Sequence, residues 1–259
     1  MSFLFNEIIY RPIYNLLIFI YNIVPLHDFG IAIILVTVLI KFLLLPISKK
    51  QIESQKKMQA LQPKIKELQE KHKNDKEKQS RALMELYKTT KTNPFSGCLP
   101  TIFQLVFLIA IYRVLFNLSQ SGLSVDGSGL YSFVANPGQI NHFFLGLVDL
   151  SRSIDFKNIA LANIPHIVLV VLAALAQYFQ TKMLMAKQPM LSSKDKKNQD
   201  FSQVMTQQML YLGPILTLFI GIKFPAGLAL YWLVSTVFAI AQQYQLEKKK
   251  DVLASTAKR

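Results

Sequence analysis

The sequence predicts an all-α polytopic membrane protein: five transmembrane helices, an N-terminal interfacial helix and a cytoplasmic helical hairpin. Three observations carry this expectation. Apolar residues make up 51% of the 259-residue chain and gather into runs long enough to cross a bilayer. The basic residues behind a formal charge of +14 are concentrated in alternate connecting segments. Segment 48–97 is highly charged yet helically periodic.

Segment 1–28 is expected on the outer face. Residues 3–25 are apolar but carry Glu7, Arg11, Asn15 and Asn22, with Pro12 and Pro25 near the ends. Tyr10, Tyr14 and Tyr21 favour an interface, so an amphipathic helix lying on the membrane is expected. A small-residue cleavage site and a lipidated cysteine are both lacking, so it does not read as a cleaved signal peptide.

The first span, 29–47, contains GIAIILVTVLIKFLLLP, in which Lys41 is the one charge. A charge at membrane depth costs about 2.5–3.5 kcal/mol on insertion scales, which makes a functional role the default. The alternative is snorkelling toward the surface marked by Lys49, about 12 Å further along a helix. The residues alone leave the two readings level.

Segment 48–97 reads as two antiparallel helices standing in the cytoplasm. Met58, Leu61, Ile65 and Leu68 form one stripe at spacings of three and four; Leu83, Leu86 and Tyr87 form another; HKNDKEK is the polar turn between them. With 13 basic and 6 acidic residues, the segment carries +7. It is either a solvated basic loop or a docking arm for acidic partners, nucleic acid or lipid headgroups.

The second span is placed at 98–118, an outer loop at 119–160, and the third span at 161–183, where Pro165 suits a first helical turn. A cytoplasmic loop at 184–203 leads to the fourth span, 204–222. The tight turn 221–225 leads to the fifth, 226–244, and a basic tail, 245–259, follows. Counting Lys and Arg in the loops puts 23 on one side and 4 on the other (Arg11, Arg152, Lys157 and Lys223). The positive-inside rule then sets the N-terminus outside and the C-terminus in the cytoplasm, which requires an odd number of spans.

Composition also excludes. Cys98 is the single cysteine, and His27, His72, His142 and His166 are scattered without ligand spacing. No nucleotide loop, nucleophile motif or carboxylate pair stands out, so neither an enzyme nor a resident metal or cofactor is expected.

Polar residues within the spans fall at matching depths. Lys41, Gln104 and Gln177 each lie six residues from the cytoplasmic end of a span, about 9 Å deep. Ser235 and Thr236 sit somewhat deeper. Unpaired polar groups should not face lipid, so a shared wet cavity open to the cytoplasm is one economical arrangement. Helix–helix hydrogen bonding is the other, and is slightly favoured for Ser235 and Thr236. Arg113, near the outer end of its span, reads as a snorkelling residue.

Four segments then resemble one family in order and spacing: 58–68 (MQALQPKIKEL), 93–100 (NPFSGCLP) followed by Gln104, 145–151 (LGLVDLS), and 224–232 (FPAGLALYW) followed by Ser235, Gln242 and Gln243. They resemble the YidC-type membrane protein insertases of bacteria, relatives of insertases of mitochondria and chloroplast thylakoids, and the likeness covers nearly the whole chain. One departure stands out: the family usually carries arginine where this chain has Lys41. Lysine keeps the charge but not the planar five-donor fork.

The resemblance implies an insertase working without cofactor or catalysis. Lys41, Gln104, Gln177, Ser235 and Thr236 would line a hydrophilic groove open to the cytoplasm, and Met58, Leu61, Ile65, Leu68, Leu83 and Leu86 would form a recruitment hairpin. The implied partners are nascent membrane proteins and the lipid bilayer, with the ribosome, targeting factors and the general secretory channel as further expectations and no DNA. The implied location is the bacterial plasma membrane. Two rivals are an assembly factor without insertion activity and a small secondary transporter. The absence of an internal repeat and a polar layer confined to one half count against the transporter.

Overall fold

The computed structural model describes residues 3–93, 99–154, 161–185 and 201–256; within these, the side chains of 59, 66, 99–103, 162, 185, 201–209 and 249–256 are not described. Most of Asn93–Pro100, Lys157, the basic residues of 186–200 and the end of the tail therefore lie outside the described residues. The rest is mostly helical: α1 Phe3–Ile23, α2 Phe29–Leu43, α3 Leu45–Lys71, α4 Lys76–Thr89, α5 Leu99–Gln120, α6 Ile164–Met185, α7 Phe201–Lys223 and α8 Ala226–Thr256. A two-residue hairpin, β1 Phe143–Phe144 with β2 Val148–Asp149, lies between α5 and α6.

Among the described residues, three helices are long and apolar enough to cross a membrane: Phe3–Ile23, Ile164–Leu184 and Ala226–Lys248. The bent pair α2–α3 would make a fourth, and the described side chains of α5 and α7 form the apolar stretches Gln104–Gln120 and Leu210–Lys223. The first of the three is the segment expected to lie flat.

The span expected at 29–47 is not one straight helix. α2 closes at Leu43, and α3 starts at Leu45 bent by 66° from it. The cause is Pro46 in the first turn of α3, since proline has no N–H to continue the ladder and is tolerated only there. Ser48 covers the break by donating its hydroxyl to the carbonyls of Leu44 (3.0 Å) and Leu45 (3.1 Å). Lys41 thus lies about 3 Å from the end of its helix, nearer than the 9 Å read from the sequence.

α8 is the central helix, packed against α2, α5, α6 and α7. Its first turn is buried at Ala226, Leu228, Ala229, Leu230 and Tyr231. Buried helix starts need acceptors for their free N–H groups. The loop between α5 and α6 supplies them: Ala226 N–H donates to Arg152 O (3.0 Å) and Gly227 N–H to Leu150 O (3.1 Å). Gly227 also admits Leu115, which a Cβ there would meet at 3.0 Å.

The loop between α5 and α6 buries Val125, Val134, Ile140, Val148, Leu150 and Ile154, and all but Ile154 join the apolar core of the helices. α2 is fastened to this loop. Asp28 caps α2 by accepting from Ile31 N–H (3.0 Å), and its second oxygen accepts from Leu145 N–H (2.7 Å). The Phe144 ring lies over Gly30, where any side chain would overlap it.

α1 uses its polar residues against the same loop. Asn15, 2% exposed, donates to Arg11 O (2.9 Å) and Gly129 O (3.0 Å) and accepts from Tyr131 N–H (2.6 Å). Tyr14 donates to Asp126 O (3.2 Å), Tyr21 accepts from Asn141 N–H (2.8 Å), and Asn22 donates to Ala135 O (2.7 Å). These polar groups face protein, whereas Leu4, Ile8, Phe19 and Ile23 face outward. Arg113 stacks over the Phe5 ring at 5.8 Å, so its stem and charge are held against α1.

α3 and α4 turn back on one another through residues 72–75. Gln79 donates to Gln69 O (2.9 Å) across the turn, and Asp75 caps α4 by accepting from Lys78 N–H (3.0 Å). Ile65 is buried, while Met58, Leu61, Leu68, Leu83, Leu86 and Tyr87 are half-buried.

Candidate functional site

Helical spacing places Ile33, Thr37 and Lys41 on one face of α2. Ile33 and Thr37 are buried there, and the Thr37 hydroxyl folds back onto Ile33 O (2.6 Å). Lys41 continues that face inward. Its Nζ donates to Gln104 Oε1 of α5 at 3.1 Å, and Ser235 Oγ of α8 donates to the same oxygen at 2.9 Å. Tyr231, one turn before Ser235, is buried at 3% exposure. Three helices therefore meet on one amide.

Lys41 is a cation held by neutral partners; among the described residues no carboxylate pairs with it. An ammonium carries three donors, and one is given to Gln104. Gln104 Nε2 is buried with no acceptor. The cluster is thus rich in donors, arranged to receive negative charge or carbonyl oxygens.

The sequence-predicted residues divide. Lys41, Gln104 and Ser235 come together. Thr236 is buried beside Ser235, at 4% exposure. Gln177 belongs elsewhere: its Oε1 accepts from Trp232 Nε1 (3.1 Å), and its side chain lies against Gly213 of α7. Depth along the helix axis put Gln177 with the others, but its azimuth turns it to another side of α8.

Sequence reasoning missed Tyr231, although its spacing of four from Ser235 was available. It also missed a second set of contacts beyond the bend at Leu44. Gln242 Nε2 donates to Ser48 Oγ (2.7 Å), and Lys56 pairs with Glu247 (3.5 Å), so α3 runs alongside the extension of α8. Met84, at 60% exposure, is a further apolar residue on α4, beside Ser80, Arg81, Glu85 and Lys88.

Fold and site together define a helical membrane protein with a positively charged, amide-rich cluster between its apolar helices. Residues 19–253 match the family model described as 60Kd inner membrane protein, and the chain belongs to that family. Similar relatives are each named membrane protein insertase YidC. That of Fusobacterium nucleatum is 34% identical over 86% of this chain and 87% of its own length. Those of Geotalea daltonii (32% identical over 86% of this chain) and Citrifermentans bemidjiense (34% over 92%) are matched over 34% and 36% of their lengths. The chain thus spans about a third of those two relatives and most of the Fusobacterium protein.

Proposed function

We propose that this chain is a bacterial membrane protein insertase. It receives short polar tails of nascent membrane proteins at the Lys41 cluster and releases their apolar segments into the bilayer. The observation that carries the reading is a lysine inside the helical bundle, bonded to Gln104, whose acceptor oxygen it shares with Ser235, and lacking a carboxylate partner among the described residues. Family membership supplies the class of function.

The physical obstacle to insertion is the polar tail, whose peptide groups lose water on entering hydrocarbon. A donor-rich cluster near the inner end of α2 offers those groups partners partway across. Lys41 attracts acidic residues in the tail, and Gln104 bonds its backbone. The apolar segment then leaves past exposed residues such as Leu172, Leu175 and Phe179 on α6 and Leu212, Ile215 and Phe219 on α7. A potential positive outside draws a negative tail outward by about 2.3 kcal/mol per charge per 100 mV. No catalytic step or cofactor enters this cycle.

The topology proposed with this function has five spans, the N-terminus outside, the C-terminus in the plasma membrane's cytoplasmic side, and α3–α4 as a cytoplasmic recruitment hairpin. Its Met58, Leu61, Ile65, Leu68, Leu83 and Leu86 would meet nascent chains, the ribosome or targeting factors. α1 is placed flat on the outer face. Its contacts with residues 126–141 run from Tyr14 to Asn22, about 12 Å of helix, along one loop. A helix crossing the membrane would reach that loop at one end.

The test is insertion of a short-tailed single-span substrate into vesicles holding this protein alone. Wild type and Lys41→Arg are expected to insert, and Lys41→Ala to fail. Wild-type insertion no greater than in empty vesicles would sink the reading and favour an assembly factor.

A further inference from the structure

We propose that Gln51 is a second backbone-binding point for the translocated polypeptide, at the inner mouth of the cluster. The inference deepens the insertase reading and rests on it.

Among the described buried side chains, two polar atoms lack a hydrogen-bond partner: Nε2 of Gln104 and Nε2 of Gln51. An unmatched buried donor is unfavourable, and native structures keep few of them. Both orphans are amide donors, so both require an acceptor. The first lies in the Lys41 cluster. The second lies ten residues beyond Lys41, past the bend, and is 8% exposed.

The surroundings of Gln51 place it on the packed side of α3. Ser48, three residues earlier and so about 60° away around the helix, bonds to Gln242. Lys56, further along, pairs with Glu247. Gln243, beside Gln242, is 3% exposed. α3 and the extension of α8 are thus tied at two points beyond the Lys41 cluster, and Gln51 is buried on α3 between those points in sequence.

Lys41, Gln104 and Gln51 all offer donors. A ligand that satisfies all of them must present a row of acceptors and need not match a sequence. The carbonyl oxygens of an extended polypeptide do this at every residue. A neutral amide at the mouth also suits a site that must let the chain slide, since it binds more weakly than a charged donor. Gln51 would hold the tail's backbone while Lys41 selects its charge.

The experiment uses the full chain in phosphatidylethanolamine–phosphatidylglycerol vesicles, with insertion of the short-tailed substrate followed by protease protection. Gln51→Met keeps the length without the donor, Gln51→Glu replaces donor with acceptor, and Gln51→Lys keeps a donor. Met and Glu are expected to slow insertion about fivefold, the effect of one net hydrogen bond, with Lys within about twofold of wild type. Packing is monitored by cross-linking Ser48→Cys to Gln242→Cys in a Cys98→Ser background. Insertion by Gln51→Met at the wild-type rate overturns the proposal and leaves a water at the donor. Equal slowing by Met and Lys, with cross-linking retained, also overturns it by pointing to packing. If Lys41→Ala is neutral while Gln51→Met is slow, the charge role of Lys41 fails and Gln51 stands.

Discussion

At the scale of the residue, position along a helix and position around it carry different information. Lys41 and Gln104 were matched by depth, and their side chains do meet at 3.1 Å. Gln177 was matched by the same rule and meets Trp232 instead, because depth says nothing of azimuth without the neighbouring helices. The two glutamines therefore separate by experiment. Gln104→Leu is expected to lower insertion severalfold by removing the shared acceptor of Lys41 and Ser235, whereas Gln177→Leu is expected to leave the insertion rate near wild type. Replacing Lys41 with alanine is expected to reduce insertion of acidic-tailed substrates at least about tenfold, and of lysine-tailed ones little, since the lost energy is an attraction between unlike charges. Asn15 makes a structural counterpart. Asn15→Leu strands Gly129 O and Tyr131 N–H, costing about 2–3 kcal/mol, which thermal unfolding in detergent should register as a fall of several degrees in Tm with no selective effect on acidic tails.

At the scale of the element, the stripes of α3 and α4 were legible because helical period is local. Leu61, Ile65 and Leu68 are indeed among the less exposed residues of α3. The break at Leu44 was half legible: Pro46 was visible, but a proline that ends one helix and a proline that opens the next look alike in sequence. The polar residues of α1 were legible as unusual and were read as the mark of an amphipathic helix lying on the membrane. Their partners lie more than 100 residues away on residues 126–141, a distance no periodicity reports. The start of α4 offers a pH test. The backbone N–H and ammonium of Lys78 hold the Asp75 carboxyl below the usual carboxylate range. A depressed folded value means the cap is fully effective above the unfolded value, about 3.9, and is lost as pH falls through the folded one. Cα chemical shifts at residues 76–79 should therefore stay helical from pH 7 down to the ordinary aspartate range, about 3.9, and drift toward coil only below it. Asp75→Asn, which caps without titrating, should abolish that drift.

At the scale of the whole molecule, the family resemblance read from four short segments agrees with a family match over residues 19–253. The number of spans did not follow so simply. Residues 29–47 split into two helices, and α1 meets the length and hydropathy of a span. Sidedness is the deciding property. In a Cys98→Ser background, Phe133→Cys, 73% exposed in the loop, should react with an impermeant maleimide from outside intact cells. Met84→Cys on α4 should react only after the membrane is opened. Labelling of both from one side would require a different topology.

The start of α8 sets an order of events. Its first two N–H groups rest on the carbonyls of Arg152 and Leu150, made some seventy residues earlier in synthesis. The final helix therefore completes a scaffold whose acceptors are already in place, and its own translation closes the bundle. A nascent chain halted before Pro225 leaves those two carbonyls without these partners, together with the face of α2 that α8 would cover. Biogenesis of this protein thus has a late checkpoint. Released chains ending near residue 220 should be cut rapidly by membrane proteases, and chains ending past about residue 245, which include the turn and most of the following helix, should resist them.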